Sequence, residues 1–97
     1  MAGRQTPDTY RVDSVKVQGE GSFVELRYIT YGERQKSFGG GQTVDELLTS
    51  HVVSWDWADA EGNALPQPPE GLAHLVQPEI DFLVGALFSI PKSEAKN

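Results

Sequence analysis

No cysteine occurs among these 97 residues, which excludes a disulfide framework, a thiol nucleophile and a thiolate metal site. Imidazole is almost as scarce, being confined to His51 and His74. Neither has Cys, His or carboxylate neighbours at zinc-ligand spacing, so no metal and no cofactor is expected. Long apolar runs are missing as well. The longest, Phe82 to Ile90, is broken by Ser89 and reaches about half of the roughly 17 residues a membrane helix needs. The first eight residues contain no apolar run of the kind a signal peptide needs. The expected location is therefore the cytoplasm, with no membrane partner.

Basic side chains are scarce in the second part of the chain. Residues 1–36 carry six basic and five acidic groups, whereas residues 37–97 carry two basic and nine acidic, giving a net charge of −6. An acidic surface repels phosphate backbones, so nucleic acid is not an expected partner. The length suits one domain, which buries roughly two-thirds of its unfolded surface.

Residues 1–9 read as a disordered arm, 10–91 as a single small domain and 92–97 as a polar tail. Tyr10 to Gln18 alternates in polarity with a phase change at Asp13-Ser14, the pattern of a bulged or edge strand. Gly19-Glu20-Gly21-Ser22 then signals a turn, and Phe23 to Thr30 forms the return strand with Val24, Leu26 and Tyr28 on one face. Thr30 and Glu33 have capping-box spacing, although Gly39-Gly40-Gly41 limits the helix they open to one or two turns. No Lys-Ser/Thr pair follows these glycines, so they make no phosphate loop.

Thr43 and Glu46 repeat the capping box ahead of Val44, Leu47, Leu48, His51 and Val52, an amphipathic stripe that predicts a helix over 44–53. His51 continues that stripe and reads as a half-buried packing residue, with no acid in its sequence neighbourhood to orient it. Beyond it, Val53, Trp55 and Trp57 alternate with Ser54 and Asp56. They form either a short extended segment with both indoles on one side or a continuation of the helix to about Asp59. Both readings lead to a turn at Asp59-Ala60-Glu61-Gly62-Asn63. As a calcium loop the turn fails, because Trp57 and Pro68 stand where its first and twelfth ligands belong. The three prolines in 64–71 make an extended surface link. Leu72 to Val76 suits one helical turn, and Pro78-Glu79 opens a last helix, ended by Pro91, that is apolar around most of its circumference. The fold class expected is α+β: an N-terminal antiparallel β-hairpin packed with two or three short α-helices.

Each tryptophan brings about 150–250 Å² of surface. Both core packing and interface anchoring fit an indole beside a polar turn. No catalytic constellation can be written through the chain, so an enzyme is not expected; a pocket gathering His51 or His74 with Asp56 or Asp59 would reopen the question.

The run Val52-Val53-Ser54-Trp55-Asp56-Trp57-Ala58-Asp59-Ala60-Glu61-Gly62-Asn63-Ala64-Leu65-Pro66-Gln67-Pro68 resembles a pattern in small proteins of tailed bacteriophages. There a helix leads into a tryptophan, an acidic turn and a Leu-Pro-x-Pro link. The final acidic-apolar helix of that pattern is matched by Pro78-Glu79-Ile80-Asp81-Phe82-Leu83-Val84-Gly85-Ala86-Leu87-Phe88. Upstream, Val24-Glu25-Leu26-Arg27-Tyr28-Ile29-Thr30-Tyr31-Gly32-Glu33 is similar to a strand entering a helix in the same proteins. The family resembled is the phage tail assembly chaperones. The resemblance implies binding of the tape measure protein while the tail tube assembles around it, and it carries no catalytic residues. Arg34 to Gln42 departs from the pattern, being short and glycine-broken where a longer helix is expected. On this reading Trp55, Trp57, Ile80, Leu83, Val84, Leu87 and Phe88 form the surface that meets an apolar protein partner, and self-association is possible. The alternatives are a small structural subunit of a virion or another intracellular protein-binding adaptor.

Overall fold

The computed structural model describes residues 2, 3, 5, 7–40 and 43–88. The expected polar tail 92–97, the helix stop at Pro91 and Gly41 of the glycine joint lie outside the described residues. In chain order the elements are β1 (Thr9–Asp13), α1 (Val15–Gln18), β2 (Phe23–Arg27), α2 (Tyr31–Phe38), α3 (Val44–His51) and β3 (Val52–Trp55). A 3-10 turn (Glu70–His74) and α4 (Gln77–Phe88) complete the chain. The fold is α+β, with the three strands in the order β1-β2-β3 and the hairpin at its N-terminal end.

Both strand pairs are antiparallel. Arg11 lies opposite Glu25 and Val12 opposite Val24, while Val24 in turn lies opposite Trp55. Alternation sends Tyr10, Val12, Val24 and Leu26 to one face of the sheet, where Val24 and Leu26 are wholly buried. The other face carries Arg11, Asp13, Glu25 and Arg27, and there Thr9 Oγ1 donates to Glu25 at 2.7 Å. Register shifts between Glu25 and Leu26, which face Ser54 and Val52, so Val53 is the extra residue of a β-bulge. The bulge lets Val52 and Trp55 both enter the core, which strict alternation would forbid.

Local chemistry explains the helix starts. Thr30 and Glu33 exchange their capping bonds at 2.8 and 3.2 Å, and Thr43 and Glu46 do the same at 2.9 and 3.1 Å. At α4 the Glu79 carboxylate accepts the Val76 N–H at 3.1 Å. Leu47, Leu48, Leu83 and Leu87 turn inward from α3 and α4 onto the sheet.

Several expectations are corrected. Val15 and Val17 are not strand residues: Asp13 Oδ1 accepts the Val15 N–H, Ser14 O accepts those of Val17 and Gln18, and the chain closes into one helical turn. The reason is tertiary, since Ser14 is fully buried with its hydroxyl under Trp57. The hairpin connection accordingly includes α1 as well as the predicted glycine turn. The helix expected over 44–53 ends at His51, where Val52 opens β3, so of the two readings of the tryptophan segment the extended one holds. The strand pairing begins ahead of Tyr10, inside the expected arm, where Asp8 O accepts the Tyr28 N–H at 3.2 Å. The proline link is not confined to the surface, because Leu65 and Gly71 are buried along it.

Candidate protein-binding surface

The two indoles are the centre from which the surface is built. Their rings stack at 4.9 Å with only 3° between planes, and Phe82 of α4 leans on Trp57 at 6.3 Å. Both polar edges are satisfied: Trp55 Nε1 donates to Pro66 O at 3.1 Å and Trp57 Nε1 to Ser14 Oγ at 3.0 Å. The Ser14 hydroxyl in turn donates to Ser22 Oγ at 2.8 Å, and Ser22 to Gly19 O at 2.7 Å.

Backbone groups around the indoles are closed by two glutamines. The Gln67 amide accepts the Trp55 N–H at 3.1 Å and returns a bond to Trp55 O at 2.8 Å. The Gln18 amide does the same for Ala58, at 2.9 and 3.1 Å. Leu65 N–H donates to Trp57 O between them. A side-chain amide thus stands where a neighbouring strand would stand, and this edge of the sheet is blunted.

The turn beyond is an Asx turn. Asp59 Oδ1 accepts the N–H groups of Glu61 and Asn63, each at 2.9 Å, and Gly62 takes the positive φ of +88° that the turn requires. Hydrogen bonds from Asn63 above all, then from Glu61 and Gly62, hold the Asp59 carboxyl below its ordinary range.

Of the residues read from the sequence as partner-binding, Trp55, Trp57, Leu83 and Leu87 are 3 %, 1 %, 0 % and 6 % exposed. Sequestered in this way, they offer no surface in the folded chain. Ile80, Val84 and Phe88 are half-buried and follow one another at i, i+4 and i+8. Val76, 59 % exposed, extends the row by one turn at the start of α4. The sequence groups Ile80, Val84 and Phe88 with Leu83 and Leu87 as one surface of a helix apolar around most of its circumference, and only packing separates the row that faces the sheet from the row beside it. On the flanks, Tyr10 Oη donates to Ala86 O at 3.2 Å, and the Arg34 guanidinium lies 6.0 Å above the Phe88 ring. Burial first, and the neighbouring Tyr28 second, push the Tyr10 phenol up to about 12.

A groove of about 700 Å³ runs between β1 and α4, lined by Tyr10, Val12, Val15, Phe82, Gly85 and Ala86, with Arg11, Asp13, Lys16 and Asp81 also bordering it. A second cavity, of about 380 Å³, is lined by His74, Asp59 and Glu79 among others. It brings together one histidine and one aspartate of the pairing sought from the sequence. Yet the Asp59 oxygens are engaged by its own turn, Glu79 is bonded to Gln18 and Val76, and no hydrogen bond joins either acid to His74. Among the described residues no group of three His, Cys, Asp or Glu is placed to hold a metal ion, and no helix is long and apolar enough to cross a membrane.

His51 departs from its sequence reading. It is wholly buried, and an acid does orient it: Nδ1 lies 2.8 Å from Leu47 O and Nε2 3.1 Å from Glu33 Oε1. Both ring nitrogens face acceptors, an arrangement that a ring carrying both protons satisfies on both sides. The Thr30 N–H above all holds the Glu33 carboxyl below its ordinary value of 4.5; burial opposes it, and the bond and charge of His51 add to the lowering. A depressed folded pKa contributes stability above the unfolded value, and that stability is lost as pH falls through the folded one. Thermal melts should therefore fall more steeply for the wild type than for Glu33→Gln as pH drops below 4.5. Parallel pH profiles for the two proteins would contradict this coupling.

Compared with known proteins, the chain matches no family model, no curated sequence and no solved structure.

Proposed function

We propose that this chain is a protein-binding domain of the phage tail assembly chaperone type, one that holds an apolar segment of a tape measure protein until the tail assembles. The observation that carries the reading is the apolar row Val76, Ile80, Val84 and Phe88, partly open along α4 in a helix whose buried side is already filled by Leu83 and Leu87. A carrier for an aggregation-prone partner needs such a row on an otherwise charged surface. Four-residue spacing is also how helix faces present anchors to a partner's groove or helix. The net charge of −6 keeps the carrier itself dispersed.

The test is co-purification with a phage tape measure protein. Ile80→Asp together with Val84→Asp should lower capture about tenfold or more while far-ultraviolet circular dichroism stays native. Undiminished capture by a folded double variant would sink the proposal. Substitutions at Leu83 and Leu87 cannot serve, because burying a carboxylate at either site unfolds the domain before the surface is tested.

A second reading is a structural subunit of the particle. Mass spectrometry of purified particles separates the two. A subunit is present in fixed stoichiometry, whereas a chaperone has left.

A further inference from the structure

The two edges of the sheet are treated differently. On the β3 side, Gln67 and Leu65 occupy the outward backbone groups of Trp55 and Trp57. On the β1 side nothing comparable is present among the described residues. Asp8 O accepts from Tyr28 and Ser14 N–H donates to Ser22 O, so the even-numbered residues of β1 bond to β2. By the alternation of an antiparallel ladder, the N–H and C=O groups of Arg11 and Asp13 then point away from the sheet. No proline and no bulge interrupts β1, and the 700 Å³ groove beside it leaves room for another extended chain between β1 and α4.

From this geometry we infer that β1 pairs with β1 of a second copy, antiparallel about a two-fold axis through Val12, so that two three-stranded sheets join into one of six strands. Charge selects both the occupant and the register. Arg11 and Asp13 lie two apart on the same, outer face of the strand, so a strand carrying both signs is complementary to its own inverse. With the axis at Val12, each Arg11 faces the other copy's Asp13 and the two Val12 side chains meet on the core face. Moving the axis to Arg11 sets guanidinium against guanidinium. Moving it to Tyr10 sets Arg11 against Thr9 and leaves Asp13 beyond the paired segment. Only the first register places opposite charges directly across, where they stabilise a strand pair, and like charges there would oppose it. Within its own chain the Arg11 guanidinium rests 4.1 Å above the Phe23 ring, and no ion pair to a carboxylate engages it among the described residues. An isologous, closed contact of this kind ends at the dimer, which is how an open edge avoids indefinite growth.

Sedimentation velocity on the full chain from about 1 µM to about 1 mM tests the inference, with amide exchange measured at both ends of the range. Expected are a concentration-dependent dimer and slowed exchange at the Arg11 and Asp13 amides on dimerisation, with Tyr10 and Val12 already slow in the monomer. R11D and D13R should each raise the dissociation constant about tenfold or more. An equimolar mixture of the two should recover a dimer, because the acidic pair of one strand then lies opposite the basic pair of the other. D13R also removes the cap on Val15. If that variant fails to fold, R11D decides alone by its dissociation constant. A wild type monomeric throughout, a dimer indifferent to R11D, or a dimer with unprotected Arg11 and Asp13 amides would each overturn the inference. So would protection of those amides only by a different protein added to a monomeric chain.

Discussion

Alanine at position 71 is expected to destabilise the domain by about 3 kcal/mol or more, at the upper end of what overpacking costs in a closed core. Gly71 is buried at the start of the 3-10 turn. A methyl group built on it collides with the Pro66 carbonyl oxygen and comes within 2.6 Å of Trp55 Cζ2. The first of these neighbours is backbone and the second a ring locked between Trp57 and the link, so neither yields by rotating a bond. The Pro66 carbonyl is also the acceptor of the Trp55 indole N–H, and moving it breaks that bond as well. Chemical denaturation of Gly71→Ala should show a midpoint far below that of the wild type. Gly85→Ala is the control, since a methyl there meets nothing within 4 Å. Equal stability of Gly71→Ala and wild type would mean that the link does not pack on Trp55 as described.

That role of Gly71 could not be read in the sequence, and the reason is general to this chain. What the sequence announced was local. Both capping boxes form because donor and acceptor are three residues apart, and the Asx turn at Asp59 forms for the same reason. The hairpin followed from alternation and a glycine turn. What it concealed was settled across long separations. Gln18 serves Ala58 from 40 residues away, Glu33 reaches His51 from 18, and Ser14 accepts from Trp57 at 43. The Val15-Val17 alternation looked like a strand, but the demand for Ser14 beneath an indole outweighed it. In the same way the apolarity of α4 was visible, while its division into Leu83 and Leu87 inside and Ile80, Val84 and Phe88 beside them depends on where the sheet lies.

The tryptophans carry the other large expectation. Trp57→Ala should cost about 3–5 kcal/mol, the usual penalty for truncating a buried aromatic, which rivals the 5–15 kcal/mol of total stability common among such domains. At 1 % exposure, stacked on Trp55 and touched by Phe82, the ring has no room to be replaced by solvent. A double-mutant cycle separates its volume from its hydrogen bond. Ser14→Ala in the wild type strands the indole N–H without a partner, at about 1–3 kcal/mol. In a Trp57→Phe background there is no N–H to strand, so the Ser14→Ala penalty should shrink by most of that amount. Guanidinium melts of the four proteins measure the difference. An additive cycle would mean that Ser14 serves only its own turn, through Ser22 and Gly19. A coupled one would tie α1 to the indole pair, and so make the helical turn at Val15–Gln18 a consequence of the tryptophan corner.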